Sequence, residues 1–211
     1  MNVSSMDDLF IQVRTAHRLL VAYYQRLHPK IDELATSAGT IFDFWIPQLF
    51  TKPSRANPFK KWQWDLLPAA VTRYVFKRVA DTSKVTRGDY TLEFIVINDT
   101  GIVTEKGKGQ PDALNLPQSV EKADSVIRVG IYRAFQESDK DYYSQWNDVA
   151  YPSYLDSETC QRDKHFFTIG FEVPIKVLMT EDGFNSVKEK IDRCLSLTEQ
   201  AVLSRPIESE A

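Results

Sequence analysis

The sequence predicts an α+β domain: a mainly antiparallel sheet of four to five strands, packed with an N-terminal and a C-terminal helix. Three observations carry this. Apolar residues recur at spacings of three and four at both ends of the chain. Between those ends, several segments place apolar residues at every second position. Few helical segments separate those strands, which argues against a doubly wound parallel sheet. A chain of 211 residues suits one such domain, 1–211, with a core that needs no metal or disulfide support.

The first element is a helix over 1–37. Ser5 can cap it, and Phe10, Val13, His17, Leu20, Tyr24 and Leu27 form one face. Ile31 and Leu34 continue the rhythm beyond Pro29, where a missing backbone donor predicts a kink or break near His28. Gly39 is the expected stop. The sheet region follows, over 40–135 and 165–173. "TIFDFWI" (40–46) makes a fifth strand beside "VTRYVFKRV" (71–79), "DYTLEFIVIN" (89–98), "SVIRVGIYRAF" (125–135) and "HFFTIGFEV" (165–173). Glu93, Arg128 and Arg133 interrupt otherwise apolar strands, as expected of a sheet with one wet or ligand-bearing face. The last helix, 182–204, carries Phe184, Val187, Ile191, Cys194, Thr198 and Ala201 on one face and ends before Pro206.

Two long aromatic loops remain, 47–68 and 136–164. The first holds "PFKKWQWDLLP", in which Lys60 and Lys61 precede Trp62 and Trp64. In an extended backbone both indoles point to one side, because side-chain direction repeats every two residues. The second is acidic and holds Tyr142, Tyr143 and Trp146. Trp and Tyr are common anchors of protein interfaces, and lysines at a rim steer a negative partner.

Charge supports a protein partner or self-association over nucleic acid. The net charge is −3, although residues 1–110 carry 15 Lys+Arg against 11 Asp+Glu and residues 111–211 carry 11 against 18. The start of the chain reads as no signal peptide, and no apolar run is long enough for a membrane span. Two cysteines make no disulfide framework. A cytoplasmic location with no membrane association is therefore expected.

No catalytic constellation stands. The Gly-rich stretch from Gly101 to Gly109 lacks the P-loop spacing and its hydroxyl. His17, His28 and His165 have no acid or thiol spaced to make a metal site or triad, and Cys160 with His165 lacks an orienting third group. Asp89 and Glu93 share a strand, as the acids of a metal-dependent nuclease do. In the restriction-endonuclease-like pattern a lysine stands two residues after the glutamate; here Phe94 and Ile95 follow, and the next lysine is Lys106. The chain thus reads as a non-enzymatic binding protein, an accessory, inhibitor, immunity or chaperone-like factor, without cofactor or metal. Its binding residues would be Lys60, Lys61, Trp62, Trp64, Tyr142, Tyr143 and Trp146. The alternative is a nucleic-acid-binding protein, or a divergent nuclease using Asp89 and Glu93.

Overall fold

A computed structural model of the chain describes residues 3–48, 70–102, 116 and 118–205. The architecture is α+β, with a helix at each end of a six-stranded antiparallel sheet. Helix α1 (Val3–Ser37) leads into β1 (Ile41–Gln48), followed by β2 (Val71–Arg78), β3 (Tyr90–Ile97) and β4 (Val126–Ala134). A short helix α2 (Tyr142–Asn147), strands β5 (Gln161–Asp163) and β6 (Phe166–Pro174), a 3₁₀ turn (Ile175–Met179) and helix α3 (Glu181–Leu203) complete the chain. The strand order is β1-β2-β3-β4-β6-β5.

The sheet thus has six strands, where the sequence pattern predicts four to five. The extra one, β5, is three residues long, too short to show a period of two, and it forms only by pairing with Phe166–Thr168. Residues 136–164 are likewise not one loop, since they contain α2 and β5.

One face of the sheet is covered by the helices. Register aligns Tyr74, Phe94, Val129 and Phe171 across β2, β3, β4 and β6, so their side chains share that face. Leu27, Ile31 and Leu34 of α1 and Phe184, Val187, Ile191 and Cys194 of α3 close over it. The α3 face runs where its sequence spacing places it, capped by Thr180, whose hydroxyl accepts from the Gly183 amide. Arg133 also lies on this face, donating to Thr198 at 3.1 Å and stacking on Tyr90 at 4.4 Å. Glu93 and Arg128 lie on the other face, so the three interrupting charges do not form one set.

Helix α1 passes Pro29 without a break, contrary to expectation. Pro29 and Gln25 are both exposed, so the carbonyl freed by the missing N–H meets water rather than a dry core. The helix stops where Gly39 takes φ 72°, a left-handed conformation suited to glycine, and the Tyr90 hydroxyl donates to the Ala38 carbonyl.

Only the second half of α1 reaches the body. Tyr23 donates to Asn98 at 2.7 Å, Asn98 donates to Tyr24 at 2.9 Å, and from Leu27 onward the inner face is buried. Every residue from Asp8 to Val21 is exposed, including the stripe residues Phe10, Val13 and Leu20. The expected wet sheet face is not wet either, because residues 138–160 fold across it.

Candidate functional site

The second sheet face holds a polar cluster built from residues distant in sequence. Glu93 points away from the helices and is fully buried, which corrects the expectation of a solvated carboxylate. Arg73 on β2 donates to it at 2.6 Å. The Arg73 guanidinium stacks 4.5 Å from the Trp146 ring, and Trp146 meets Tyr132 edge-on at 5.7 Å. Burial pushes the Glu93 carboxyl above its usual range; Arg73 and the nearby Tyr132 phenol offset part of that rise. Burial also opposes the charge on Arg73, but the Glu93 carboxylate outweighs it and raises the guanidinium further. Among the described residues Arg73 Nε and Trp146 Nε1 have no hydrogen-bond partner.

The cover fits because of two glycines. Gly130 and Gly170 are cross-strand partners, and Pro152 and Tyr154 lie over them. A Cβ at Gly170 would come within 2.8 Å of Pro152 Cγ and of the Val129 carbonyl oxygen. On the same face Tyr142 exchanges a 2.9 Å hydrogen bond with Thr91 and meets Phe166 edge-on.

An apolar groove lies elsewhere among the described residues, where α1 meets the edge strand. A groove of about 410 Å³ is lined by His28, Ile31, Asp32, Phe42, Trp45, Tyr74 and Phe76. That volume is in the range of sites that hold a side chain or a small ligand. Its wall is an aromatic ladder: Phe42 meets Phe76 edge-on at 5.6 Å, Phe76 meets Phe94, and Trp45 stacks near-parallel on Tyr74 at 6.4 Å. His28 hydrogen-bonds the Tyr74 hydroxyl at 2.9 Å, and burial holds the His28 ring below its usual value. Trp45 is nonetheless 56% exposed. A second, shallower groove of about 520 Å³ runs along α1 past His17, Leu20, Val21 and Tyr24 and shares His28 with the first.

Strand β1 is an edge strand, which ordinarily invites pairing with another chain. Here the ladder is interrupted by a bulge between Phe42 and Phe44, and Pro47 removes a donor. The edge is thus a poor template for strand addition, while its side chains Ile41, Phe42, Trp45 and Ile46 stand exposed. The bulged Asp43 turns to the covered face, where it pairs with Lys77 at 2.8 Å and accepts from Tyr143 at 2.6 Å.

The residues singled out in the sequence are distributed as follows. Tyr142 and Trp146 are buried in the cover, and Tyr143 is partly buried between Asp43 and Lys77. All three therefore hold the cover to the sheet. Lys60, Lys61, Trp62 and Trp64 lie outside the described residues. Asp89 immediately precedes β3 and Glu93 lies within it, four residues on, about 13 Å at the usual rise of extended chain, too far to share a metal ion. Among the described residues no three His, Cys, Asp or Glu side chains are grouped to hold a metal. Missed by sequence reasoning were Phe42, Trp45 and Tyr74. A signal was present: "IFDFWI" is apolar on both sides of a strand, which suits a strand with both of its faces covered.

The fold and this surface define a two-faced antiparallel sheet protein with one face under two helices, the other under an aromatic cover, and an apolar groove at its edge. The chain belongs to the family described as PM0109, whose model matches residues 3–200. Neither the curated proteins nor the solved structures contain a match to it.

Proposed function

We propose that the protein is a non-enzymatic binding protein whose ligand is another protein chain, docked by apolar side chains on the surface shared by α1 and β1. One observation carries this reading. The bare stripe of α1, the groove at its base and the exposed face of β1 form one continuous apolar surface. Lone exposed apolar residues are ordinary, but a contiguous surface of this kind marks an interaction site. Phosphate recognition calls for Lys or Arg at the contact, and among the described residues the charged side chain lining the groove is Asp32. That favours a protein over a nucleic acid.

Segment 136–164 is not part of the proposed surface, because Tyr142, Tyr143 and Trp146 face the sheet. Lys60, Lys61, Trp62 and Trp64, in the segment that joins β1 to β2 in the chain, remain proposed binding residues. Two free thiols suit the reducing cytoplasm, the compartment proposed for the protein. Among the described residues no helix is long and apolar enough to cross a membrane.

The test is the size of the native protein in extracts of its own cells. The wild-type chain should elute in an assembly larger than its 24.3 kDa. The variant Leu20→Asp with Trp45→Asp, both exposed positions, should elute as a folded monomer. Equal elution of the two chains would refute the assignment of this surface.

A further inference from the structure

Resting on the reading above, we propose that the occupant of the docking surface is a second copy of this chain. The two α1 helices would pack antiparallel, each laying its projecting half over the groove of the other.

The argument starts from the helix repeat. Phe10 and His28 are 18 residues apart, which is five turns of about 3.6 residues, so they share one face at a separation of about 27 Å. Between them lie Val13, His17, Leu20 and Tyr24, the bare stripe. Beyond His28 lies the groove. A two-fold axis near Leu19 exchanges the two ends: Phe10 of each copy comes to the His28 end of the other copy's groove, beside Phe42 and Trp45. One operation thus covers both bare features, as an isologous interface must. No segment left over is needed to fill either.

The area is sufficient. Leu9, Phe10, Val13, Leu20, Val21, Phe42 and Trp45 are each roughly half exposed. With His17, Tyr24 and His28, at about 80–100 Å² apiece, they offer about 800 Å² or more, what one partner brings to a standard interface. Four-turn apolar stripes at alternating spacings of three and four are also the pattern by which two helices interlock.

Sedimentation equilibrium of the purified full chain should give a concentration-dependent species of twice 24.3 kDa. Leu20→Asp, close to the axis and so present twice at the contact, should leave only monomer up to about 100 μM, with the circular dichroism of the folded chain retained. In a Cys160→Ser, Cys194→Ser background, Phe10→Cys with His28→Cys should oxidise to a covalent dimer. The two thiols are about 27 Å apart within one helix, so the link can form only between copies. A chain that stays monomeric at every concentration overturns the proposal. So does a covalent dimer from Phe10→Cys alone, which would mean parallel helices, or binding to lipid vesicles with no dimer in solution. A monomeric chain that still elutes in a larger assembly in cell extracts would sink only this inference and leave the docking reading standing.

Discussion

Arg73→Met should make the stability of this protein depend steeply on pH. Arg73 is the direct partner of Glu93, at 2.6 Å, and Glu93 has no exposure to water. Removing a partner from a buried ion pair leaves an uncompensated charge, which costs about 3–5 kcal/mol. The carboxylate has a cheaper way out, because it can take a proton. From an ordinary value of 4.5, protonation at pH 7 costs about 3.4 kcal/mol at 1.36 kcal/mol per unit, but at pH 5 it costs only about 0.7. Loss of the Arg73 stack on Trp146 adds about 0.5–1 kcal/mol at every pH. The expected loss is therefore about 4 kcal/mol at pH 7, falling to about 1.5 at pH 5. The sign follows from linkage. A carboxyl raised in the folded state contributes stability that is present below its unfolded value and lost as pH rises through its folded value. Wild-type Glu93 is itself raised, so the wild type should lean the same way with a smaller slope. Urea unfolding at pH 5, 6 and 7, followed by circular dichroism, measures this directly. Adding Glu93→Gln to Arg73→Met should abolish the extra slope. A loss for Arg73→Met that is the same at pH 5 and pH 7, or below about 0.5 kcal/mol throughout, would refute the reasoning.

Ile191→Ala, at a buried position where α3 faces the sheet, should cost about 2–5 kcal/mol in the same assay, and a loss in the surface range would contradict its place in the core. Gly170→Ala should cost about 1–3 kcal/mol, because its Cβ collides with Pro152 and the Val129 carbonyl; amide exchange in 150–160 should quicken more than in α3, and uniform quickening would argue against a separate cover. Cys194 should resist alkylation at pH 7 while the protein is folded, since burial pushes its thiol up to about 11 and only its edge reaches water, and reductant should leave the melting temperature unchanged. Fast labelling of Cys194 in the folded chain would show that α3 opens.

The strands and α3 were legible in the sequence because each has a buried side whose period is visible locally. Phe167, Ile169 and Phe171 alternate, and Phe184, Val187, Ile191 and Cys194 turn with the helix, so burial and pattern coincide. Strand β5 was not legible, since three residues carry no period and Gln161–Asp163 is a strand only through Phe166–Thr168. The state of Glu93 was hidden for a different reason. Its partner lies on the neighbouring strand 20 residues earlier, and its cover comes from Trp146 and Tyr154 more than 50 residues later. A charged residue on a strand looks the same in sequence whether water or an arginine faces it. Two mid-strand glycines, Gly130 and Gly170, each four residues from either end of its strand, likewise gave no sign that Pro152 and Tyr154 would sit on them.

The candidate site was half legible. The α1 stripe Phe10, Val13, His17, Leu20, Tyr24 is plain in the sequence, but an apolar stripe states only that something covers it. The chain covers Leu27, Ile31 and Leu34 with its own sheet and leaves the rest bare. The groove needs Phe42, Trp45 and Tyr74 from two strands brought together by a bulged register, which no local pattern encodes.

The claim that the α1–β1 surface docks a protein is tested most directly by photo-crosslinking inside the cells that make this chain. A photoreactive phenylalanine at Trp45 or at Leu20 should give discrete protein adducts. The same group at Leu155 or Leu203, exposed positions away from the surface, should give none above background. Discrete adducts from the first pair alone are the predicted result. Adducts of equal yield from all four positions, or none from Trp45 and Leu20, would contradict the account.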